Sequence, residues 1–362
     1  MQRVATELYE ALDENPAIRV TPLVLKTSWR WTHIRIFPFL AILIWRIPRL
    51  VVQEKIDVVL FSSMVTAAIA PLIRRNLQSR GVCLAAIAHG LDVTDPTVVW
   101  QRLVPRTLRS LDRVLPVSRA TAEECRNRGM LPENIAVVPN GVDVSRVPKL
   151  TDRVAARREL LAGLNAAGAG IPHNALILCS VGRHVERKGF QWFANEVMPT
   201  LPDGVIWLLV GEGPETHTIR EAVGANGLQS RVRLLGRVPE EHLWNLYLGS
   251  DLFIMPNIPV PGDMEGFGVV MLEAGLCGLP VLTSDLEGIR DVISEGSNGR
   301  LLPSGDASAF ASAIMQYWRD RAKQGGESED AAVYIRSTFP WSRIAERYGH
   351  TLQKLHESSV VA

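Results

Sequence analysis

At 362 residues the chain is long enough for two domains, each with a core of its own, and too long for one small domain. With 47% hydrophobic and 21% charged residues, and 28 Gly and 22 Pro scattered without period, it reads as a folded α/β protein, which excludes collagen, coiled coil and disorder. The net charge of +1 hides an asymmetry: residues 1–150 hold 20 of the 39 Lys and Arg but only 13 of the 38 Asp and Glu, so the first part favours anionic partners. Cys83, Cys125, Cys179 and Cys277 lie dozens of residues apart with no CxxC pair, a spacing that suits neither zinc nor a disulfide framework and implies a reducing, cytoplasmic compartment.

In chain order, a polar amphipathic helix is expected at 3–11, with no secretory signal. The apolar run 36–52 is interrupted by Pro38, Arg46, Pro48 and Arg49 and is expected to fall short of a membrane span. Short apolar runs then alternate with helical periods, the pattern of parallel sheets. Strands are expected at 18–25, 56–62, 82–88, 113–117 and 135–138, with helices at 64–78 and 120–128 between them. A second series is expected at 175–181, 205–210, 232–235, 252–255, 279–283 and 300–302. Pro139-Asn140-Gly141-Val142-Asp143 and the Gly- and Ala-rich stretch 163–172 place the boundary in or near 140–172, between two doubly wound sheets that leave a cleft.

Several motifs follow expected strands. His89-Gly90 puts a histidine at a strand's carboxyl end, where it can meet a sugar hydroxyl or simply cap a turn. Ser118 and Arg119 hold a similar rim position, with helix capping the competing explanation for Ser118. The run Gly182-Arg183-His184-Val185-Glu186-Arg187-Lys188-Gly189 combines a glycine turn, cations and a helix start, as a diphosphate requires; Arg183 can fork onto its oxygens and Lys188 adds a point charge. The turns at 211–214 and 235–238 lack the GxGxxG fingerprint, which disfavours a nicotinamide enzyme. In Glu265-Gly266-Phe267-Gly268 the glycines flank a helix start whose N–H groups attract an anion. Glu265 and Glu273 on either side cannot serve that anion, but they can accept hydrogen bonds from sugar hydroxyls. The alternative is an acidic helix start and a surface glutamate. Neither an HExxH motif nor an Asp-x-Asp pair is present, so no metal site is expected.

These residues resemble the retaining glycosyltransferases of family 4, from Arg3 to about Leu355. The most specific match is Glu265, seven residues, Glu273 with the EGFG turn; the VGR and RKGF block, PNGVD at 139–143, His89-Gly90 and Phe339-Pro340-Trp341 support it. The resemblance implies the GT-B fold, with two Rossmann-like doubly wound domains facing a cleft. These would be an acceptor-side domain at 1–150, a nucleotide-sugar domain at 151–340, and a helix at 341–362 crossing back to the first domain.

It also implies site roles. Glu273 would hold the ribose, Arg183 and Lys188 the diphosphate, and Glu265 with the backbone of Gly266, Phe267 and Gly268 the sugar. The backbone from Gly236 through Arg237 and Val238 would hold the base, and His89 would reach the donor sugar. A nucleoside-diphosphate sugar is then the donor, a glycan or lipid-linked compound the acceptor, with no cofactor, metal or nucleic acid. Transfer would proceed by front-face substitution, in polysaccharide or glycoconjugate assembly. Competing readings are a nucleotide-sugar epimerase and a weakly catalytic binding protein.

The sequence departs from the family in the long loop 256–264 and in lacking the strand and Gly-Gly loop that usually precede the first helix, which suggests a missing upstream segment. In the segment 29–52, Trp29, Trp31, Phe37, Phe39 and Trp45 interleave with Arg30, Arg35, Arg46 and Arg49. Two readings stand: peripheral contact with the inner face of a membrane, or a helix buried against the first sheet.

Overall fold

The structure, a computed structural model, describes residues 2–25, 29–147, 153–166, 168, 170–320 and 327–361. The chain forms two compact units: Met1–Gly141, Gly262–Phe267 and Trp341–Ala362 in the first, Val142–Pro261 and Gly268–Pro340 in the second. Of the expected linker, residues 148–152, 167 and 169 lie outside the described residues; part of its Gly- and Ala-rich stretch is instead the end of the helix Arg153–Ala166.

The first unit holds a parallel sheet of β1 (Val58–Phe61), β2 (Cys83–Ala88) and β3 (Arg113–Pro116), in the order β1-β2-β3. Two strands expected here do not form. Residues 18–25 are irregular: Pro22 lacks a donor, and side chains fasten the segment instead, Arg19 donating to the carbonyl and carboxylate of Glu54 at 2.8 and 2.9 Å. Residues 135–138 run beside β3, where the N–H groups of Ala136 and Val138 reach the carbonyls of Val114 and Pro116, with one bridge at Ile135. The return bond of a parallel ladder would come from residue 116, and Pro116 has no N–H. The helix expected over 64–78 is two, Met64–Ala67 and Ala70–Gln78, because Pro71 cannot donate to Ala67.

Helix α1 (Gln2–Asp13) is followed by α2 (Trp29–Glu54), which runs 26 residues straight through Pro38 and Pro48. The expected interruption is therefore absent, and Ile34–Glu54 is long and apolar enough to cross a membrane by length and composition. Each proline removes one backbone bond, and burial of Leu43, Ile47 and Val51 with Phe61, Ile73 and Leu84 in the first unit's core offsets the loss.

The C-terminal helix, Trp341–Val361, belongs to this unit with α1. Its Trp341 Nε1 donates to Glu7 Oε2 at 2.8 Å, and the Arg3 guanidinium meets the other oxygen at the same distance. Glu7 is only 4% exposed, so both donors matter.

The second unit is a six-stranded parallel sheet of β4 (Leu176–Val181), β5 (Val205–Val210), β6 (Val232–Gly236), β7 (Leu252–Met255), β8 (Val281–Ser284) and β9 (Arg300–Leu302), ordered β6-β5-β4-β7-β8-β9. Counted within the unit this is 3-2-1-4-5-6, the doubly wound order. β4, β5 and β7 are buried along their whole length, which is why they read as unbroken apolar runs. Trp207, Phe193 and Phe310 anchor the core on one face.

Trp341→Phe keeps an aromatic ring in place of the indole and removes the donor to a buried carboxylate. It should destabilise the fold by about 2 kcal/mol, seen as a fall of several degrees in thermal denaturation; an unchanged melting temperature would refute the role given to this bond.

Candidate functional site

In a doubly wound sheet ligands settle outside the carboxyl ends of the strands where the order reverses, here between β4 and β7. The loops leaving these two strands touch. Gly189 has φ +65°, and a Cβ there would stand 1.9 Å from the carbonyl oxygen of Pro256; beside it, the N–H of Ile258 donates to the Arg187 carbonyl at 3.0 Å. Only glycine permits that approach. Lys188 is 6% exposed, with Nζ 3.8 Å from Met255 Sδ at the end of β7, whereas Arg183 is exposed. Two cations therefore follow β4 on the switch-point side, Lys188 buried and Arg183 exposed.

After β6, Arg237 is exposed and its Nε lies 3.1 Å from Glu212 Oε2, in the loop after β5. Val238 is partly buried beside it.

The helix Val269–Leu276 follows β7, with Gly268 as its N-cap at φ +138°. Glu273 lies in its second turn and is 1% exposed, so the surface-glutamate explanation fails. Tyr247, fully buried on the helix Glu240–Gly249, donates its hydroxyl to Glu273 Oε2 at 3.1 Å. Burial, reinforced by the neighbouring carboxylate, pushes the Tyr247 phenol well above its usual range, so it remains a donor. The sequence reading missed Tyr247. The available signal was a phenol in a run otherwise apolar enough to be core, where a hydroxyl must find a partner.

In the first unit, His89 leaves β2 with its Nε2 2.9 Å from the carbonyl oxygen of Ser62, after β1. The backbone N–H of His89 donates to Asp92 Oδ1 at 2.7 Å, and the Met64 backbone N–H donates to Oδ2 at 2.9 Å. Asp92, 6% exposed, thus ties the turns after two adjacent strands together; it too was missed, although it stands in the same His-Gly-Leu-Asp run. Glu265 is 8% exposed. Gly266 lies against the histidine turn, where a Cβ on it would stand 1.8 Å from the His89 carbonyl oxygen. Phe267 is buried. Ser118 is fully buried and its Oγ accepts from the Thr121 N–H at 3.2 Å, so it is a helix cap, not a rim group.

Residues from separate motifs therefore divide between the two units. Arg183, Lys188, Arg237, Val238 and Glu273 belong to the second unit, all of them in loops or a helix that follow strand carboxyl ends; His89, Glu265, Gly266 and Phe267 belong to the first. The four cysteines are buried, and burial pushes the thiols of Cys125, Cys179 and Cys277 up to about 12, which leaves them protonated and poor nucleophiles.

Asp92→Ala would leave two amides, His89 and Met64, without their acceptor, and should cost about 2 to 4 kcal/mol in chemical denaturation. A loss below ~0.5 kcal/mol would show that the two turns hold without it.

Comparison with known proteins agrees with this arrangement. Residues 3–146 match the family described as Glycosyltransferase Family 4, and residues 175–320 match Glycosyl transferases group 1. A putative colanic acid biosynthesis glycosyltransferase, WcaL, of Salmonella typhimurium is 28% identical over 65% of this chain, and the match spans 55% of that relative, little more than half its length. The N-acetyl-alpha-D-glucosaminyl L-malate synthase of Bacillus anthracis is 26% identical over 82% of this chain and 74% of its own. A crystal structure of Anabaena HepE in complex with UDP-glucose, 21% identical, superposes with a TM-score of 0.70 over 88% of this chain and 82% of that one, a likeness of fold. With both family matches in register with its two sheets, the chain belongs to the group 1 glycosyltransferases of family 4.

Proposed function

We propose that this protein transfers a sugar from a nucleoside-diphosphate sugar to a glycan or lipid-linked acceptor on the cytoplasmic side of the membrane, in polysaccharide or glycoconjugate assembly, with the anomeric configuration retained. The observation that carries the reading is the buried Glu273 carboxylate, held through one oxygen by Tyr247 in a helix that starts from a glycine turn at the switch point of the second sheet. A carboxylate there is wrong for phosphate and right for a vicinal diol, which supports assigning the ribose to Glu273. The diphosphate is assigned to Arg183, Lys188 and the helix N-terminus, and the base to the backbone from Gly236 through Val238.

The catalytic load in such a transfer is the leaving diphosphate. Positive charge already fixed in place stabilises it as the bond breaks, without reorganisation at that moment. Glu265 and His89 are assigned to the transferred sugar, and the departing phosphate oxygen takes the proton of the acceptor hydroxyl on the same face, so that configuration is kept. The polysaccharide-building relative named above supports a saccharide acceptor, and the UDP-glucose complex of the structural neighbour supports a nucleotide-sugar donor.

The test is an NMR assay of the product formed from a panel of nucleotide sugars and glycan acceptors. We expect the transferred sugar to keep its anomeric configuration, and turnover to persist in excess chelator because Arg183 and Lys188 supply the charge. Glu265→Ala should lower kcat about a hundredfold while donor affinity changes less than about threefold, since its contacts strengthen only as charge develops. An inverted product, or an epimerised donor formed without acceptor, would overturn the reading.

A further inference from the structure

We propose that the outward face of α2 is a docking surface for the anionic headgroup layer of a membrane. At 3.6 residues per turn, Ile34, Phe37, Ala41, Trp45 and Val52 fall on one side of this helix. The opposite side carries Leu43, Ile47 and Val51, which are buried in the first unit's core. The outward side is not buried: Phe37 is 72%, Trp45 69%, Ile34 63%, Val52 61% and Ile42 54% exposed. The expectation of a helix buried against the sheet thus holds for one face only. Single exposed apolar side chains are ordinary on a protein surface, but five along one helix, two of them aromatic, form a stripe.

The charges beside the stripe indicate what covers it. Arg35, Arg46 and Arg49 line one flank, all exposed, and the Arg49 guanidinium sits 5.8 Å over the Trp45 ring. Between Ile34 and Gln53 there is no Asp or Glu. A second copy of the chain is a poor occupant, since a two-fold pairing of these stripes would bring arginines together with no carboxylate of the stripe to answer them. A layer of anionic lipid answers every one, while the apolar stripe enters the boundary between headgroups and acyl chains and the arginine stems lie along it.

Although Ile34–Glu54 has the length and composition of a span, crossing would pull Leu43, Ile47 and Val51 out of the core that holds the first unit together. The helix therefore lies in the interface plane. This inference does not depend on the reaction proposed above.

The test is co-sedimentation of the full chain with vesicles of phosphatidylcholine and phosphatidylglycerol at 70:30, against phosphatidylcholine alone, at low salt and in 0.5 M salt. Binding to the anionic vesicles at low salt, weakened by salt and by removal of the anionic lipid, is expected. Arg46→Gln with Arg49→Gln should lower partitioning about twentyfold, since each juxtamembrane arginine contributes roughly fivefold. Phe37→Ser with Trp45→Ser should lower it about tenfold or more, while Val333→Ser, an equally exposed residue on another helix, should leave it unchanged. All five side chains are exposed, so each variant should melt like the wild type. No binding to the anionic vesicles at low salt, or binding by both double variants equal to that of the wild type, would overturn the proposal. So would a dimer in light scattering that Phe37→Ser with Trp45→Ser dissociates.

Discussion

Everything in the second unit depends on how closely the loops at the carboxyl edge of its sheet are drawn together. A parallel sheet sends all its strand ends to that edge, and here the loop after β4 presses on the loop after β7 with room for no side chain at Gly189. That single approach fixes where Lys188 stops, since its ammonium lies against Met255 at the end of the neighbouring strand. It also sets the path by which the chain leaves β7 before turning, at Gly268, into the helix that carries Glu273.

Buried carboxylates give the architecture its precision. Three of them are anchored through specific donors: Glu273 by the Tyr247 hydroxyl, Asp92 by two amides from adjacent turns, Glu7 by an indole and a guanidinium. An acid group taken out of water is costly unless its oxygens are satisfied, and once satisfied it holds one geometry. For Asp92 and Glu7 that geometry joins elements of the first unit. For Glu273 it holds the side chain in the second turn of the helix that starts at Gly268.

Much of this was legible from the chain alone, and the exceptions have physical reasons. The six strands of the second sheet read clearly because most are buried on both faces and lie between glycine turns, so apolar runs and strand limits coincide. The first sheet read less well. The apolar run 18–25 has a strand's composition but carries Pro22 and is held by side chains, and 135–138 faces a strand whose Pro116 cannot return its hydrogen bond. The continuity of α2 through two prolines was hidden because burial of Leu43, Ile47 and Val51 is a tertiary effect that local propensity does not contain. Among the candidate site residues, Glu265, Glu273, Arg183, Lys188 and His89 stood out by type and spacing. Tyr247 and Asp92 did not, because each acts on a residue distant in sequence or on the backbone.

The central claim is that the second unit's carboxyl edge binds a nucleoside diphosphate with its ribose on Glu273. Titration calorimetry with a nucleoside diphosphate and its 2′,3′-dideoxy analogue, on the wild type and on Glu273→Gln, tests it most directly. The account predicts that the parent nucleotide binds the wild type at least about tenfold more tightly than the dideoxy analogue, and that the preference disappears in Glu273→Gln, because the hydroxyls lose their charged acceptor. Equal binding of the two nucleotides to the wild type, or a preference that survives the substitution, would contradict it.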